Sequence, residues 1–150
     1  MDERTKRIKK IMRKSMKKTR KYGNNFKHKN PEKYDEALNI VKEDGCAIKN
    51  ILEELKNDDY IAMCAVKENK FAIKYISEEL KNDDDIAMCV VKKDGCMIKF
   101  VSEELRNDVD IAMCAVKQDG HAIKYISEEL RNDFNIAMCA VGQNAYMIEH

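Results

Sequence analysis

The amino-acid sequence predicts an all-α fold: an α-solenoid of tandem 25-residue helical hairpins behind a basic N-terminal helix or arm. Three observations carry this prediction. The chain repeats itself at a fixed period. Each period holds two apolar patterns of helical spacing, bounded by capping and turn residues. One Pro and five Gly in 150 residues are too few for the many turns of an all-β protein.

The repeat is read first, because self-similarity at a fixed period decides architecture. The phrases DGCAIKNILEELKND (44–58), NKFAIKYISEELKND (69–83), DGCMIKFVSEELRND (94–108) and DGHAIKYISEELRND (119–133) each begin 25 residues after the last. Between them lie YIAMCAV (60–66), DIAMCVV (85–91), DIAMCAV (110–116) and NIAMCAV (135–141), with a looser DEALNIV at 35–41. This divides the chain into an arm, 1–30, and an array, 31–150. The array holds copies at 36–60, 61–85, 86–110 and 111–135, and a partial copy at 136–150.

Within a copy, the first helix is predicted to start after Asp58, Asp83, Asp108 or Asp133, whose carboxylates suit an N-cap. Its Ile-Ala-Met-Cys-Ala-Val run is apolar on all sides, which predicts a buried inner helix near 59–67. Asp44-Gly45, Asp94-Gly95 and Asp119-Gly120 mark a turn in which glycine would relieve positive φ, with Asn69 serving the copy that lacks glycine. A second, amphipathic helix near 71–81 places Ala72, Ile73, Ile76 and Leu80 on one face. Asn57, Asn82, Asn107 and Asn132 follow as left-handed caps. On this single-helix reading Ser77 faces water, and Ser77→Ala is expected to do almost nothing. Asn30-Pro31 opens the first helix with a capping Asn and Pro at its first position. The last copy stops at Ala145–His150, halfway through its second limb. Its inner helix is expected to be under-covered, and to pack against a second copy in a homodimer, a partner protein or the arm's apolar face.

The phrases AIKYISEELKND and IAMCAVKQDG resemble the repeats called domain of unknown function 4116, known from giant DNA viruses of amoebae, from amoebae and from some intracellular bacteria. The matching residues are Ala115-Val116-Lys117-Gln118-Asp119-Gly120, then Ala122-Ile123, Tyr125 and Ser127 to Asp133. The resemblance spans about residues 36–141 and leaves out the arm. It implies a helical array acting as an interaction module, with no catalytic residue to carry over.

Several groups of side chains are candidates for chemistry. Cys64, Cys89, Cys114 and Cys139 share one slot of successive inner helices, which stack roughly 8–10 Å apart. That is too far for a shared zinc ion or a disulfide, so these thiols are read as core. Cys46, Phe71, Cys96, His121 and Tyr146 share another slot. Cys96 and His121 could face each other across copies, but two ligands do not make a site. No metal, cofactor or catalytic residue is therefore expected, and the chain is read as a non-enzyme. Lys74, Lys99 and Lys124 form one surface row beside Tyr75, Phe100 and Tyr125, and these six are the candidate protein-binding residues. Packing between copies is the competing reading of the aromatics. Glu53, Glu78, Glu103 and Glu128 run beside the lysines, Lys49 among them, as i,i+4 partners.

Charge supplies the functional clue. Residues 1–30 hold 13 Lys/Arg against 2 acids, a net +11, and residues 31–150 hold 15 against 25, a net −10. In TKRIKKIMRKSMKKTRKY (5–22), Ile8, Ile11, Met12 and Met16 line one helical face. The candidate nucleic-acid-binding cations are Arg4, Lys6, Arg7, Lys9, Lys10, Arg13, Lys14, Lys17, Lys18, Arg20 and Lys21. Such a helix suits the phosphates of RNA or DNA, an acidic protein groove, an anionic membrane, or the chain's own acidic body. An apolar stripe without Trp or Phe argues against the membrane. A basic, acid-poor start also resembles a transit peptide. With no secretory signal and six cysteines, the expected setting is reducing: cytoplasm or nucleus, or a virus factory for a viral protein, and not the secretory route. The preferred sequence-level reading is an adaptor, with the arm on nucleic acid and the array on protein. The alternative is a purely protein-binding or structural module.

Overall fold

A computed structural model describes residues 27–146, and the arm helix expected at 5–22 lies outside them. Among the described residues every regular element is an α-helix or a 3-10 helix. The elements fall into two compact units divided between Asp83 and Asp84. Each unit is built of stacked repeats.

In the first unit, α1 (Pro31–Glu43) packs on α3 (Asp59–Glu68), with α2 (Glu53–Lys56) and the 3-10 segments Gly45–Asn50, Lys70–Lys74 and Leu80–Asn82 completing the limbs. The second unit repeats the plan with α4 (Asp84–Lys93), α5 (Glu103–Arg106), α6 (Val109–Gln118), α7 (Glu128–Arg131) and α8 (Phe134–Tyr146). Its 3-10 segments are Gly95–Phe100 and Gly120–Tyr125. Inner helices stack on inner helices, and 3-10 limbs on 3-10 limbs.

The inner helices begin where their capping aspartates predict. Asp58 Oδ1 accepts from Ile61 N–H at 2.9 Å. Asp108 Oδ1 accepts from Asp110 and Ile111, and Asp133 Oδ1 from Asn135 and Ile136. Pro31 opens α1 as expected, although the Asn30 side chain makes no capping bond. The inner helices are less uniformly buried than their composition suggests. Ile61, Ala62, Ala65 and Val66 are buried, while Met63 and Cys64 are half-buried, and the second unit repeats this at Met88, Cys89, Met113 and Cys114. A helix covered by a limb on one side and a neighbouring helix on another keeps one partly wet edge.

The second limb departs most from expectation. It is not one helix over 71–81. A 3-10 segment gives way to extended backbone at Ile51, Val101 and Ile126, and a one-turn α-helix restarts at Glu53, Glu103 or Glu128. The first copy makes this break with Leu52 and no side-chain cap, and in the second unit a serine of Ser-Glu-Glu-Leu secures it. Ser102 Oγ and Ser127 Oγ accept from Leu105 and Leu130 N–H at 3.2 and 3.3 Å, which is helix N-capping and ends the preceding turn. The β-branched residue just before each serine is at ease in extended backbone. Both patterns bury the same apolar residues, so periodicity alone does not separate them.

The turn residues also act differently. Among the described residues no glycine and no other residue has positive φ. Asn57 and Asn107 cap at φ −97 and −100, and Asn69 is extended at φ −137. Glycine is needed for close approach instead. A Cβ on Gly45 would collide with the carbonyl of Ala65, and one on Gly95 with that of Ala115. The missing side chain lets each turn press against the end of the next inner helix.

Candidate functional site

The 3-10 segments that begin at Gly45, Lys70, Gly95 and Gly120 are each started by a side chain that accepts from the N–H two residues on. Asp44, Asp94 and Asp119 accept from Cys46, Cys96 and His121 at 2.9 Å, and Asn69 from Phe71 at 3.0 Å. This turn fixes the carboxylate beside the next-but-one side chain. In the second unit it has a chemical consequence. Adjacent limbs stack, so the turn at Asp94–Cys96 meets the turn at Asp119–His121. Cys96 Sγ donates to Asp119 Oδ2 at 3.0 Å, and His121 Nδ1 lies 3.0 Å from Asp119 Oδ1. One ligand atom from each of Asp94, Cys96 and Asp119 lies within 4.8 Å of the others, and all three residues are half-buried.

The electrostatics of this cluster follow from burial and like charge. Burial pushes the Cys96 thiol up to about 11, helped by its bond to Asp119 and by the nearby charges of Asp119 and Asp94, and partly offset by Lys124. The same Cys96 bond holds the Asp119 carboxyl below its ordinary value, with partial burial opposing. A thiol held protonated is the reverse of an activated nucleophile. Periodicity does align Cys96 with His121. It does not show the two aspartates, whose signal is the cap two residues before each slot.

The lysine–aromatic row is assembled in the second unit. Lys99 Nζ lies 5.1 Å from the Phe100 ring centroid and 5.5 Å from that of Tyr125, and Lys124 Nζ lies 5.0 Å from Tyr125. Lys99 thus bridges two copies through cation–π contacts. In the first unit Lys74 Nζ lies 5.1 Å over Phe71, while Tyr75 is exposed. The Tyr125 ring thus takes contact from the neighbouring copy, and the three lysines are exposed.

The glutamate row pairs differently than expected. Lys56 binds Glu53 at 2.7 Å and Lys81 binds Glu78 at 2.6 Å, both at i,i+3. The extended break between Lys49 and Glu53 takes those two off a common helical face. Ser77 is also recast. Its Oγ donates to Asn57 Oδ1 at 2.6 Å and accepts from Leu80 N–H at 3.3 Å, so it ties two copies together while capping its own turn. Ser127 does the same with Asn107 at 2.6 Å. The expectation that Ser77→Ala is silent is therefore corrected.

The six cysteines, Cys46, Cys64, Cys89, Cys96, Cys114 and Cys139, are free and half-buried. Among the described residues no helix is long and apolar enough to cross a membrane. The cations proposed for nucleic acid, from Arg4 to Lys21, lie outside the described residues.

A family model described as domain of unknown function (DUF4116) matches residues 35–81, 60–106, 83–131 and 108–150. The four matches overlap, and each spans nearly two copies of the repeat. No curated protein and no solved structure matches the chain.

Proposed function

The chain belongs to the DUF4116 repeat family, and from that premise we propose that it is a non-enzymatic adaptor whose arm binds nucleic acid and whose repeats bind protein. The observation that carries the reading is charge segregation: net +11 over residues 1–30 against −10 over 31–150. Cations so concentrated release counterions from a phosphate backbone whatever its sequence. The protein-binding residues are Lys99, Phe100, Lys124 and Tyr125 in the second unit and, taken separately, Lys74 and Tyr75 in the first. Exposed ammonium groups over aromatic rings suit an acidic peptide.

The test is titration of the full chain with RNA and with duplex DNA at two salt concentrations. If about six phosphates are neutralised, affinity falls on the order of a thousandfold between roughly 50 and 200 mM salt. Changing Arg13, Lys14, Lys17 and Lys18 to Gln in the full chain flattens the salt dependence and weakens binding. Unchanged affinity in that variant refutes the arm as the nucleic-acid site. A second reading, favoured by the body's own −10, has the arm dock on an acidic protein surface. Absence of salt-dependent binding to either nucleic acid selects it.

A further inference from the structure

We propose that Asp94, Cys96 and Asp119 form a divalent-metal site of zinc type at the junction between two adjacent repeats of the second unit. The site is made of two turns that the fold already stacks. Each aspartate is oriented by its own cap, with Oδ1 accepting from the N–H of Cys96 or His121 at 2.9 Å. Asp119 Oδ2 is turned toward Cys96 Sγ at 3.0 Å. Zinc bonds to sulfur and carboxylate oxygen at roughly 2.3 and 2.1 Å place neighbouring tetrahedral ligands roughly 3.4–3.6 Å apart. The three ligand atoms here lie within 4.8 Å of one another, so small side-chain rotations bring them onto one ion.

The donor set selects the ion's class. A thiolate with two carboxylates suits a borderline-soft dication such as Zn²⁺ and disfavours Mg²⁺ or Ca²⁺, which take oxygen. On binding, the S–H bond breaks, the sulfur keeps the electron pair and bonds the metal, and the proton passes to water. The hydrogen bond from sulfur to Asp119 is replaced by a shared cation. Water takes the fourth corner. His121 is a positioning residue: its Nδ1, 3.0 Å from Asp119 Oδ1, orients that carboxylate from behind.

The first unit holds an internal control. There the turn of Asp44, Gly45 and Cys46 meets Asn69, and Asn69 and Phe71 stand at the places of Asp119 and His121, so the second carboxylate is replaced by an amide. Among the described residues, Asp94, Cys96 and Asp119 are the grouping of three such ligands within reach of one ion.

The experiment titrates the full, phosphine-reduced chain with Cd²⁺, following the thiolate-to-metal charge-transfer band, and then displaces Cd²⁺ with Zn²⁺. One equivalent is expected to saturate the band. Cys96→Ser and Asp119→Asn are expected to abolish it, and Cys46→Ser to leave it intact. Asp119→Asn keeps the capping turn, since Asn69 makes the same bond at 3.0 Å, so its loss of binding does not report misfolding. His121→Phe, the residue found at 71, is expected to weaken binding roughly 10–100-fold. No stoichiometric band in the parent chain overturns the proposal. So does a band that survives Asp119→Asn, which reduces binding to a lone thiol, or one lost equally in Cys46→Ser.

Discussion

Gly95→Ala and Gly142→Ala are the same chemical change with opposite predicted signs. At Gly95 the new Cβ would run into the carbonyl oxygen of Ala115 and lie 3.0 Å from both Ala115 C and Asp119 N. Every obstacle is backbone, so no side chain can rotate aside. The two turns must separate, which loosens the seam holding Ile98, Ala115 and Val116, all fully buried. Overpacking of this kind costs about 1–3 kcal/mol. Replacing glycine also restricts the unfolded chain, which returns about 0.4–1 kcal/mol. We expect a net loss of about 1 kcal/mol, roughly 4–8 °C in Tm if the second unit melts as a domain of 60–100 residues. At Gly142, inside α8, a Cβ meets nothing within 4 Å. There helix propensity favours alanine by up to about 1 kcal/mol. Urea and thermal unfolding followed by circular dichroism test both variants. A Gly95→Ala protein as stable as its parent would refute close approach as the reason for the Asp-Gly turns.

Two further perturbations read other parts of the fold. Tyr34 OH donates to the buried carboxylate of Asp58 at 3.2 Å. Burial raises the Asp58 carboxyl above its ordinary value, while this bond lowers it. Tyr34→Phe therefore costs about 1–3 kcal/mol at neutral pH, where Asp58 is charged, and less once acid protonates it. Urea midpoints that fall equally at neutral and acid pH would show that the bond does not serve the charged form. Val141, at 63% exposure, stands where Val66, Val91 and Val116 are at 0%. Val141→Lys is expected to stay within about 0.5 kcal/mol of the parent, and Val116→Lys to unfold the second unit. Sedimentation tests pairing through α8: a parent heavier than Val141→Lys supports a homodimer there, and equal monomer masses refute it.

What could be read from the sequence was whatever a single local pattern determines. Asp58, Asp108 and Asp133 precede apolar runs, and they cap the inner helices. What could not be read depended on two patterns sharing the same apolar spacing, or on a neighbour 20–25 residues away. Ala72, Ile73, Ile76 and Leu80 fit one helix as well as a 3-10 turn followed by a new start, and the bond between Ser77 and Leu80 favours the second. Gly95 looks like a conformational glycine until the Ala115 carbonyl is found beside it. Asp94 and Asp119 look like turn formers, which they are. Their meeting around Cys96 requires the register between copies, which periodicity places only to within a turn.

The serine cap can be isolated because one copy lacks it. Leu52 occupies the serine position of the first copy with φ −59 and ψ 142 and no side-chain cap. Ser102 and Ser127 have nearly the same backbone, at φ −56 and −60 with ψ 154, so a serine at 52 fits without rearrangement. Leu52 is 46% exposed, and removing it loses some apolar burial. Leu52→Ala loses the same burial without supplying an oxygen. The difference between Leu52→Ser and Leu52→Ala therefore reports the cap alone, and we expect the serine variant to be more stable by about 1 kcal/mol. Ser127→Ala removes an equivalent cap and also the 2.6 Å bond to Asn107 in the neighbouring copy. Its cost should exceed the Leu52 difference by roughly 0.5–1.5 kcal/mol, the net value of one hydrogen bond. That excess measures how strongly one repeat is tied to the next through its serine. Equal stabilities for Leu52→Ser and Leu52→Ala would mean that the serine cap adds nothing to a break that the backbone at Ile51 already makes without it.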